Sequence, residues 1–200
     1  MTTLIIARHG NTFSEGQIPT RVGARTDLPL VETGEEQALR LGHHLKANDL
    51  IPDIVYTSTL RRTIDTARLA CVAMMCPADN IPLPLFNEID YGIDENKPEP
   101  DVIARLGEDT IANWDKNGDM PVEWSPRPDI IINSWKLFMD GCLKDYQDKT
   151  ILVITSNGIA RFALNWTENG NSYPRKLSTG AYGILKYSEN WMVTDWNIRP

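Results

Sequence analysis

The sequence predicts an α/β fold built around an open β-sheet. Short apolar runs at Leu4–Ala7, Ile54–Tyr56 and Ile151–Ile154 have the length and composition of buried strands. Amphipathic segments separate them, and polar or charged residues follow each run directly. Strands that alternate with helices in this way are typical of a sheet covered by helices. A length of 200 residues, 42% of them hydrophobic, suits a single domain over residues 1–200.

The first predicted helix runs from Thr33 to about Asn48. Leu41 and Leu45 recur in it at helical spacing, and Thr33 with Glu36 has the spacing of a capping box. A second strand is predicted to follow over residues 53–57.

The second predicted helix runs from Arg61 to about Met75. Ser58 is its predicted N-cap, which places Arg62 in the first turn and Thr66 one turn later. Free backbone amides and the helix dipole attract an anion to a helix start, and an arginine there adds its charge. The start of this helix is therefore a candidate anion site.

The run from Ile81 to Phe86 predicts a third strand. Pro82 and Pro84 place this strand at the edge of the sheet, because proline cannot donate a hydrogen bond to a central ladder. Glu88 follows it and brings a carboxylate to the strand exit.

The least regular part of the chain lies between Asp94 and Pro128 and is rich in proline. We interpret residues 94–128 as an insertion that covers the strand ends, with one helix near 101–115, because substrate-selecting loops are common there. Trp114 and Trp124 are the tryptophans of this insertion that could line a pocket. The remaining predicted elements are a helix over 129–146, a central strand over 151–154, a helix over 159–166 and a hairpin over 183–187 and 191–197.

Composition limits the partners of the chain. Its net charge of −7 argues against non-specific nucleic-acid binding, which needs a basic face. No apolar stretch approaches the length of a membrane span, and no signal peptide precedes the first strand, so the cytoplasm is the expected location. Cys71, Cys76 and Cys142 lack the spacing and companion ligands of a zinc site, so neither a metal nor another cofactor is predicted.

Reactive side chains follow four of the predicted strands. Arg8 and His9 follow the first strand, Arg62 begins the helix after the second, Glu88 follows the third, and Asn157 follows the strand at 151–154. In open α/β sheets, ligands bind at such strand ends. An arginine beside an imidazole suits a phosphoryl group, because the guanidinium binds two oxygens while a ring nitrogen attacks phosphorus.

Short motifs between Leu4 and Gly158 follow one another in a characteristic order. They are Arg8-His9-Gly10, Thr26-Asp27-Leu28-Pro29-Leu30, Thr33-Gly34-Glu35-Glu36-Gln37-Ala38, Ser58-x-Leu60-x-Arg62-x-x-x-Thr66-Ala67, Asn87-Glu88-x-x-Tyr91-Gly92 and Ser156-x-Gly158. This order resembles the histidine phosphatase superfamily, the phosphoglycerate mutase-like enzymes. The resemblance implies a three-layer αβα sandwich with a mostly parallel central sheet.

The resemblance also implies a reaction, the metal-independent hydrolysis of a phosphomonoester through a phosphohistidine. His9 would be the nucleophile, and Arg8, Arg62 and Asn157 would hold the phosphoryl oxygens. Glu88 would protonate the leaving oxygen and later activate water, with Asp90 as the competing carboxylate. The ordinary pKa of histidine, about 6.5, keeps much of an imidazole neutral near pH 7, as a nucleophile must be.

The last motif departs from the family pattern, which reads Ser-His-Gly. Asn157 replaces the second histidine, and the remaining histidines, His43 and His44, lie on the first predicted helix. An asparagine amide still donates a hydrogen bond to a phosphoryl oxygen but brings no charge. Hydrogen bonds to charged groups are worth about 1 kcal/mol more than neutral ones, so the substitution predicts a slower enzyme before an inactive one.

Two other functions stay open. A binding or regulatory protein, a pseudophosphatase, would keep the phosphate pocket and lack turnover. A phosphoglycerate mutase is favoured by the Asn87-Glu88 and Tyr91-Gly92 motifs, whereas the short chain and the missing second histidine argue against it.

The loop after the first strand carries two further arginines. Arg21 and Arg25 are candidate contacts for an anionic part of the substrate, with solvated surface side chains as the alternative. The expected partner is a small phosphorylated substrate or phosphate, with no nucleic acid and no membrane.

Overall fold

The computed structural model describes residues 1–200, which form one six-stranded sheet with helices around it. The strands are β1 (Thr3–Arg8), β2 (Ile54–Thr57), β3 (Asn80–Pro82), β4 (Thr150–Thr155), β5 (Tyr182–Tyr187) and β6 (Trp191–Ile198). The helices are α1 (Glu32–Ala47), α2 (Arg61–Met74), α3 (Glu99–Leu106), α4 (Glu108–Asn117), α5 (Pro128–Asp145) and α6 (Asn157–Ala160). Short 3₁₀ segments cover Pro84–Phe86, Gly92–Asp94, Arg161–Trp166 and Gly170–Ser172.

The strand order is β3-β2-β4-β1-β5-β6, and the sheet is mostly parallel. The strands from β3 to β1 run parallel, whereas β5 runs antiparallel to β1, and β6 runs antiparallel to β5. In the register between β1 and β4, Arg8 lies opposite Thr155 at the carboxyl end. The residues that follow β1 and β4 therefore begin side by side.

The two faces of the sheet bury separate hydrophobic clusters. Leu4 and Ile6 of β1 pack into the cluster that includes Trp135 of α5, whereas Ile5 and Ala7 pack into the cluster under α1 and α2. This alternation follows from the two-residue period of a strand. The result is the three-layer αβα sandwich with a mostly parallel sheet that the sequence predicts.

The bounds of α1 and α2 agree with the prediction, but both predicted caps are wrong. Val31 occupies the N-cap of α1 without a side-chain cap, so Thr33 and Glu36 form no capping box. Leu60, not Ser58, occupies the N-cap of α2. A distant loop supplies the acceptor there, because Asp27 Oδ1 accepts the first helical amide at 2.7 Å.

Three other elements differ from the prediction in length. β3 lies at the sheet edge as predicted but ends at Pro82, and Pro84 begins a 3₁₀ turn instead. The helix predicted over 101–115 is two helices, α3 and α4, separated by Gly107 with a φ of 89°. The helix predicted over 159–166 is the short α6 followed by a 3₁₀ segment. The hairpin of β5 and β6 is confirmed. No helix has the combination of length and apolarity that membrane crossing requires.

Candidate active site

A cavity of about 690 Å³ opens at the carboxyl ends of the parallel strands. Arg8, His9, Glu88 and Asn157, which come from four separate segments, all line it. The segment 94–128 contributes part of its wall, with lining residues that include Glu99, Trp114 and Asp115. The sheet topology therefore brings these side chains from distant parts of the sequence to one place.

His9 lies directly after β1, and its side chain is almost fully buried, with 6% of the residue exposed. Its Nδ1 lies 2.7 Å from the carbonyl oxygen of Gly10. A carbonyl only accepts hydrogen bonds, so Nδ1 carries the proton and donates it. The other ring nitrogen, Nε2, is then left with a free lone pair in a neutral ring.

Burial and charge both favour the neutral ring. Removal from water lowers the pKa of His9 most, and the positive charges of Arg62 and then Arg8 lower it further, to well below its usual range. The bond to the Gly10 carbonyl acts in the opposite direction but is the smallest of these influences. Both influences therefore favour the neutral imidazole, protonated at Nδ1 alone, over the imidazolium form.

Arg8 and Arg62 bring two positive charges to the region, and neither forms an ion pair. Arg8 Nη1 donates to the carbonyl of Leu177 at 3.0 Å. Arg62, which is fully buried, donates to the carbonyls of Thr26 at 2.8 Å and Gly23 at 3.2 Å. The Nε atom of each arginine is buried and has no hydrogen-bond partner. Such uncompensated guanidinium groups favour an anion nearby.

The two arginines occupy different positions relative to the cavity. Arg8 lines the wall, whereas Arg62 lies in the second position of α2 and is enclosed by protein. Burial lowers the pKa of both guanidinium groups, and the negative charge of Glu88 acts on both in the opposite sense.

The carboxylate of Glu88 is held by two backbone amides. Oε1 accepts from the amide of Ile89 at 2.9 Å, and Oε2 accepts from the amide of Gly158 at 3.1 Å. Asp90, the competing carboxylate, pairs instead with Arg25 and does not line the cavity. Of these two carboxylates, Glu88 is therefore the one that lines the same cavity as His9.

Asn157 begins α6 with its amide in a fixed orientation. Its Oδ1 accepts from the backbone amide of Leu177 at 2.7 Å. This bond identifies the oxygen of the side chain and leaves the NH₂ group as the remaining polar atom. Since Asn157 lines the cavity, that NH₂ group is available as a hydrogen-bond donor to an anion.

Of the two loop arginines, only Arg21 lines the cavity. The Arg21 guanidinium pairs with Glu99 and lies 4.7 Å from the ring centre of Trp124 and 5.2 Å from that of Tyr91. The side chain of Arg25 is 57% exposed and pairs with Asp90 at 2.9 Å. Arg25 therefore does not line the cavity, and its proposed contact with substrate stays a prediction.

Two residues at the site were missed in the sequence. Arg161 is fully buried and contacts both Asn157 and Trp114, and an arginine among the apolar residues 159–164 was a usable signal. Glu95 accepts hydrogen bonds from the loop that holds Arg62. No sequence pattern separates Glu95 from the other acidic residues of this region.

Comparison with known proteins gives a family match over nearly the whole chain. The family model described as the histidine phosphatase superfamily (branch 1) matches residues 4–199. A 2,3-bisphosphoglycerate-dependent phosphoglycerate mutase from Streptomyces griseus is 35% identical over 123 residues, which cover 59% of this chain and 46% of the mutase. The Mycobacterium tuberculosis mutase is 32% identical over 124 residues, covering 60% and 47%. The match therefore spans about half the length of these curated relatives.

Solved structures match along the whole chain. A mycobacterial glucosyl-3-phosphoglycerate phosphatase superposes with a TM-score of 0.81, 16% identity and 99% coverage of both chains. A phosphoserine phosphatase from Entamoeba histolytica, in complex with 3-phosphoglyceric acid, has a TM-score of 0.77 and 20% identity, with 99% of this chain and 98% of that one covered. At these identities the likeness establishes the shared fold.

Proposed function

The chain belongs to the histidine phosphatase superfamily, and from this premise we propose that it hydrolyses phosphomonoesters through a phosphohistidine at His9 without a metal ion. The observation that carries the proposal is the neutral imidazole of His9, with Nδ1 bonded to Gly10, in one cavity with Arg8, Glu88 and Asn157. A volume of about 690 Å³ suits a small phosphorylated metabolite.

In the first step, His9 Nε2 attacks phosphorus in line with the ester oxygen. The nitrogen–phosphorus bond forms while the phosphorus–oxygen bond of the ester breaks. Glu88 gives its proton to the departing oxygen, so the product leaves as an alcohol. Arg8, Arg62 and the amide of Asn157 stabilise the charge on the phosphoryl oxygens.

In the second step, water replaces His9 on phosphorus. The Glu88 carboxylate, now deprotonated, accepts a proton from the water as its oxygen attacks. Inorganic phosphate leaves, and His9 and Glu88 return to their starting states. The carbonyl of Gly10 holds the imidazole in the same tautomer throughout.

Phosphoglycerate mutase activity is the second candidate. The curated relatives named above support it, since both are named as mutases. The phosphatases among the structural neighbours support hydrolysis, and their chains match this one along nearly its full length. We favour hydrolysis because the chain matches only about half of the mutases.

The test is turnover by the wild-type protein and by His9→Ala, with His43→Ala as a matched control. His43 lies on α1 and does not line the cavity. The substrates are p-nitrophenyl phosphate and a panel of sugar, glycerate and serine phosphates. We expect phosphate release by the wild type and by His43→Ala, no release by His9→Ala, and an acid-labile phosphoryl group on His9 in rapidly quenched wild-type samples.

Two outcomes would replace the proposal. Conversion of 3-phosphoglycerate to 2-phosphoglycerate without net phosphate release would identify a mutase. Saturable binding of orthovanadate with no turnover of any ester would identify a phosphate-binding or regulatory protein, a pseudophosphatase.

A further inference from the structure

Arg161 is a fully buried cation whose side chain donates to backbone carbonyls and forms no ion pair. It lies one helical turn after Asn157, and its Nε donates to the backbone carbonyl of Asn157 at 3.3 Å. Its Nη1 donates to the carbonyl of Trp114 at 2.6 Å. The guanidinium carbon lies 4.1 Å from the ring centre of the same tryptophan. Arg161 thus links Asn157 at the start of α6 to Trp114 of α4, and both of these residues line the cavity.

A buried charge without an opposite partner is costly, so its presence calls for a compensating role. The two carbonyls and the indole face offset part of that cost. The carboxylates whose negative charge acts on Arg161 are Glu88 and Asp115. Both line the cavity, so Arg161 lies close enough to interact with the wall of the site where the phosphoryl group would bind.

The other cation near Arg161 is Arg175, whose Nη1 donates to the backbone carbonyl of Arg161 at 3.5 Å. Arg175 is only partly buried and does not line the cavity. Arg161 is therefore the enclosed positive charge behind Asn157, and a guanidinium keeps its proton in proteins.

We propose that Arg161 is a positioning residue that holds Asn157 and Trp114 at the cavity and supplies, from behind, the positive charge that the amide of Asn157 lacks. The inference rests on the proposed function, because it assigns Arg161 to the phosphoryl-binding end of that site. It explains how a neutral side chain can stand at the start of α6 beside an anion.

The proposal predicts that Arg161 and residue 157 are coupled. With Arg161 present, a histidine at position 157 adds little, because a second cation would be repelled by the first. Without Arg161, that histidine can take up a proton and restore the missing charge. The effect of Asn157→His should therefore depend on whether Arg161 is present.

The experiment is a double-mutant cycle of Arg161→Gln and Asn157→His, with orthovanadate affinity and kcat/KM for p-nitrophenyl phosphate as readouts. We expect Arg161→Gln to weaken orthovanadate binding by roughly 10- to 100-fold, the range for loss of a charged partner. Asn157→His alone should change it by less than about threefold. In the double variant, orthovanadate affinity should recover by about tenfold near pH 6. This gain should be lost again as the pH rises and the imidazole at position 157 deprotonates.

Two further variants keep the test decisive. Arg161→Lys retains the charge but cannot make both guanidinium hydrogen bonds, so it should bind orthovanadate more weakly than the wild type and clearly more tightly than Arg161→Gln. Arg175→Gln is the control for an arginine in the same neighbourhood, and its orthovanadate affinity should stay within about threefold of the wild type. Circular dichroism and Tm report folding for every variant.

The proposal is overturned if Asn157→His has the same effect in both backgrounds, or if folded Arg161→Lys binds orthovanadate as weakly as Arg161→Gln. Orthovanadate binding separates this inference from the proposed function. If no ester is hydrolysed while the coupling is observed, the hydrolase assignment fails and the role of Arg161 stands. If esters are hydrolysed but positions 157 and 161 are not coupled, the hydrolase assignment stands and the proposed role of Arg161 fails.

Discussion

Gly158 lies against the carboxylate of Glu88. Its amide donates to Glu88 Oε2 at 3.1 Å, and a Cβ built on it would overlap Oε1 and come within 3.0 Å of the carboxyl carbon. Only a residue without a side chain allows this approach. The glycine of the last motif thus sets the position of the proposed acid and base, which is contributed by a different strand end.

Gly158→Ala should therefore displace Glu88 and reduce kcat. A general acid or base contributes roughly 100- to 10,000-fold, so we expect a loss of about 100-fold or more in kcat with a much smaller change in KM. Gly141→Ala on α5 is the control, because a Cβ there meets nothing within 4 Å. The measurements are kcat and KM on an activated ester, together with Tm, for both variants. Equal kcat values for Gly158→Ala and Gly141→Ala would disprove the role of Gly158.

Asn157→Asp should remove phosphate affinity while preserving the fold. A carboxylate oxygen can still accept from the amide of Leu177, but the NH₂ group that faces the cavity becomes a second negatively charged oxygen. We expect orthovanadate to bind at least about 100-fold more weakly, since a donor is lost and a repulsion is gained. Isothermal titration measures this.

Asn165→Asp is the matched control for that change, because Asn165 bonds to Arg175 and does not line the cavity. Its orthovanadate affinity should stay within about threefold of the wild type. If Asn157→Asp also stays within that range, the amide does not face the anion.

Glu95 fixes the loop on which Arg62 rests. Its carboxylate accepts four hydrogen bonds, from Gly23 N at 3.0 Å, Arg25 N at 3.0 Å, Thr26 Oγ1 at 2.8 Å and Tyr91 N at 3.1 Å. The carbonyls of Gly23 and Thr26 are the acceptors that hold the guanidinium of Arg62. Glu95 therefore positions Arg62 through the backbone of this loop.

Glu95→Gln should loosen that support, because an amide presents an NH₂ group where an acceptor oxygen is needed. We expect orthovanadate affinity and kcat/KM to fall by roughly tenfold, the effect of losing one hydrogen bond to a charged group. Asp90→Asn is the control, since Asp90 bonds to Arg25 and Gly92 of the same region but to no residue that holds Arg62. Equal losses in the two variants would contradict a specific role for Glu95.

His9 should remain neutral when the pH falls below the ordinary histidine value. Its pKa is lowered by burial and by Arg62 and Arg8, so protonation begins only well below about 6.5. The nucleophile is therefore retained, not lost, as the pH decreases through that value. We expect the ¹⁵N signal of Nε2 to keep the shift of an unprotonated nitrogen in a titration from about pH 8 to about pH 6.

Assignment of that signal comes from its loss in His9→Ala, with His43 and His44 unchanged. A shift of the His9 signal with a midpoint near 6.5 would show that burial and the two guanidinium groups together do not lower the pKa of His9.

Local patterns determined much of the fold in advance. The apolar runs before Arg8 and Asn157 identify β1 and β4, and the spacing of Leu41 and Leu45 identifies α1. These predictions succeed because hydrophobic periodicity depends on residues close in sequence. The cap at Ser58 failed because the acceptor for the first amide of α2 comes from Asp27, which is remote in sequence.

The sequence by itself determined the type of each reactive group and the strand end from which it comes, because both are read from residues next to one another. Only the tertiary structure decided that Arg21 lines the cavity while Arg25 pairs with Asp90, and that Arg161 is buried behind Asn157. These outcomes depend on which segments the sheet and its covering helices bring within hydrogen-bond distance. That distance is set by packing between elements far apart in the chain, which no local pattern records.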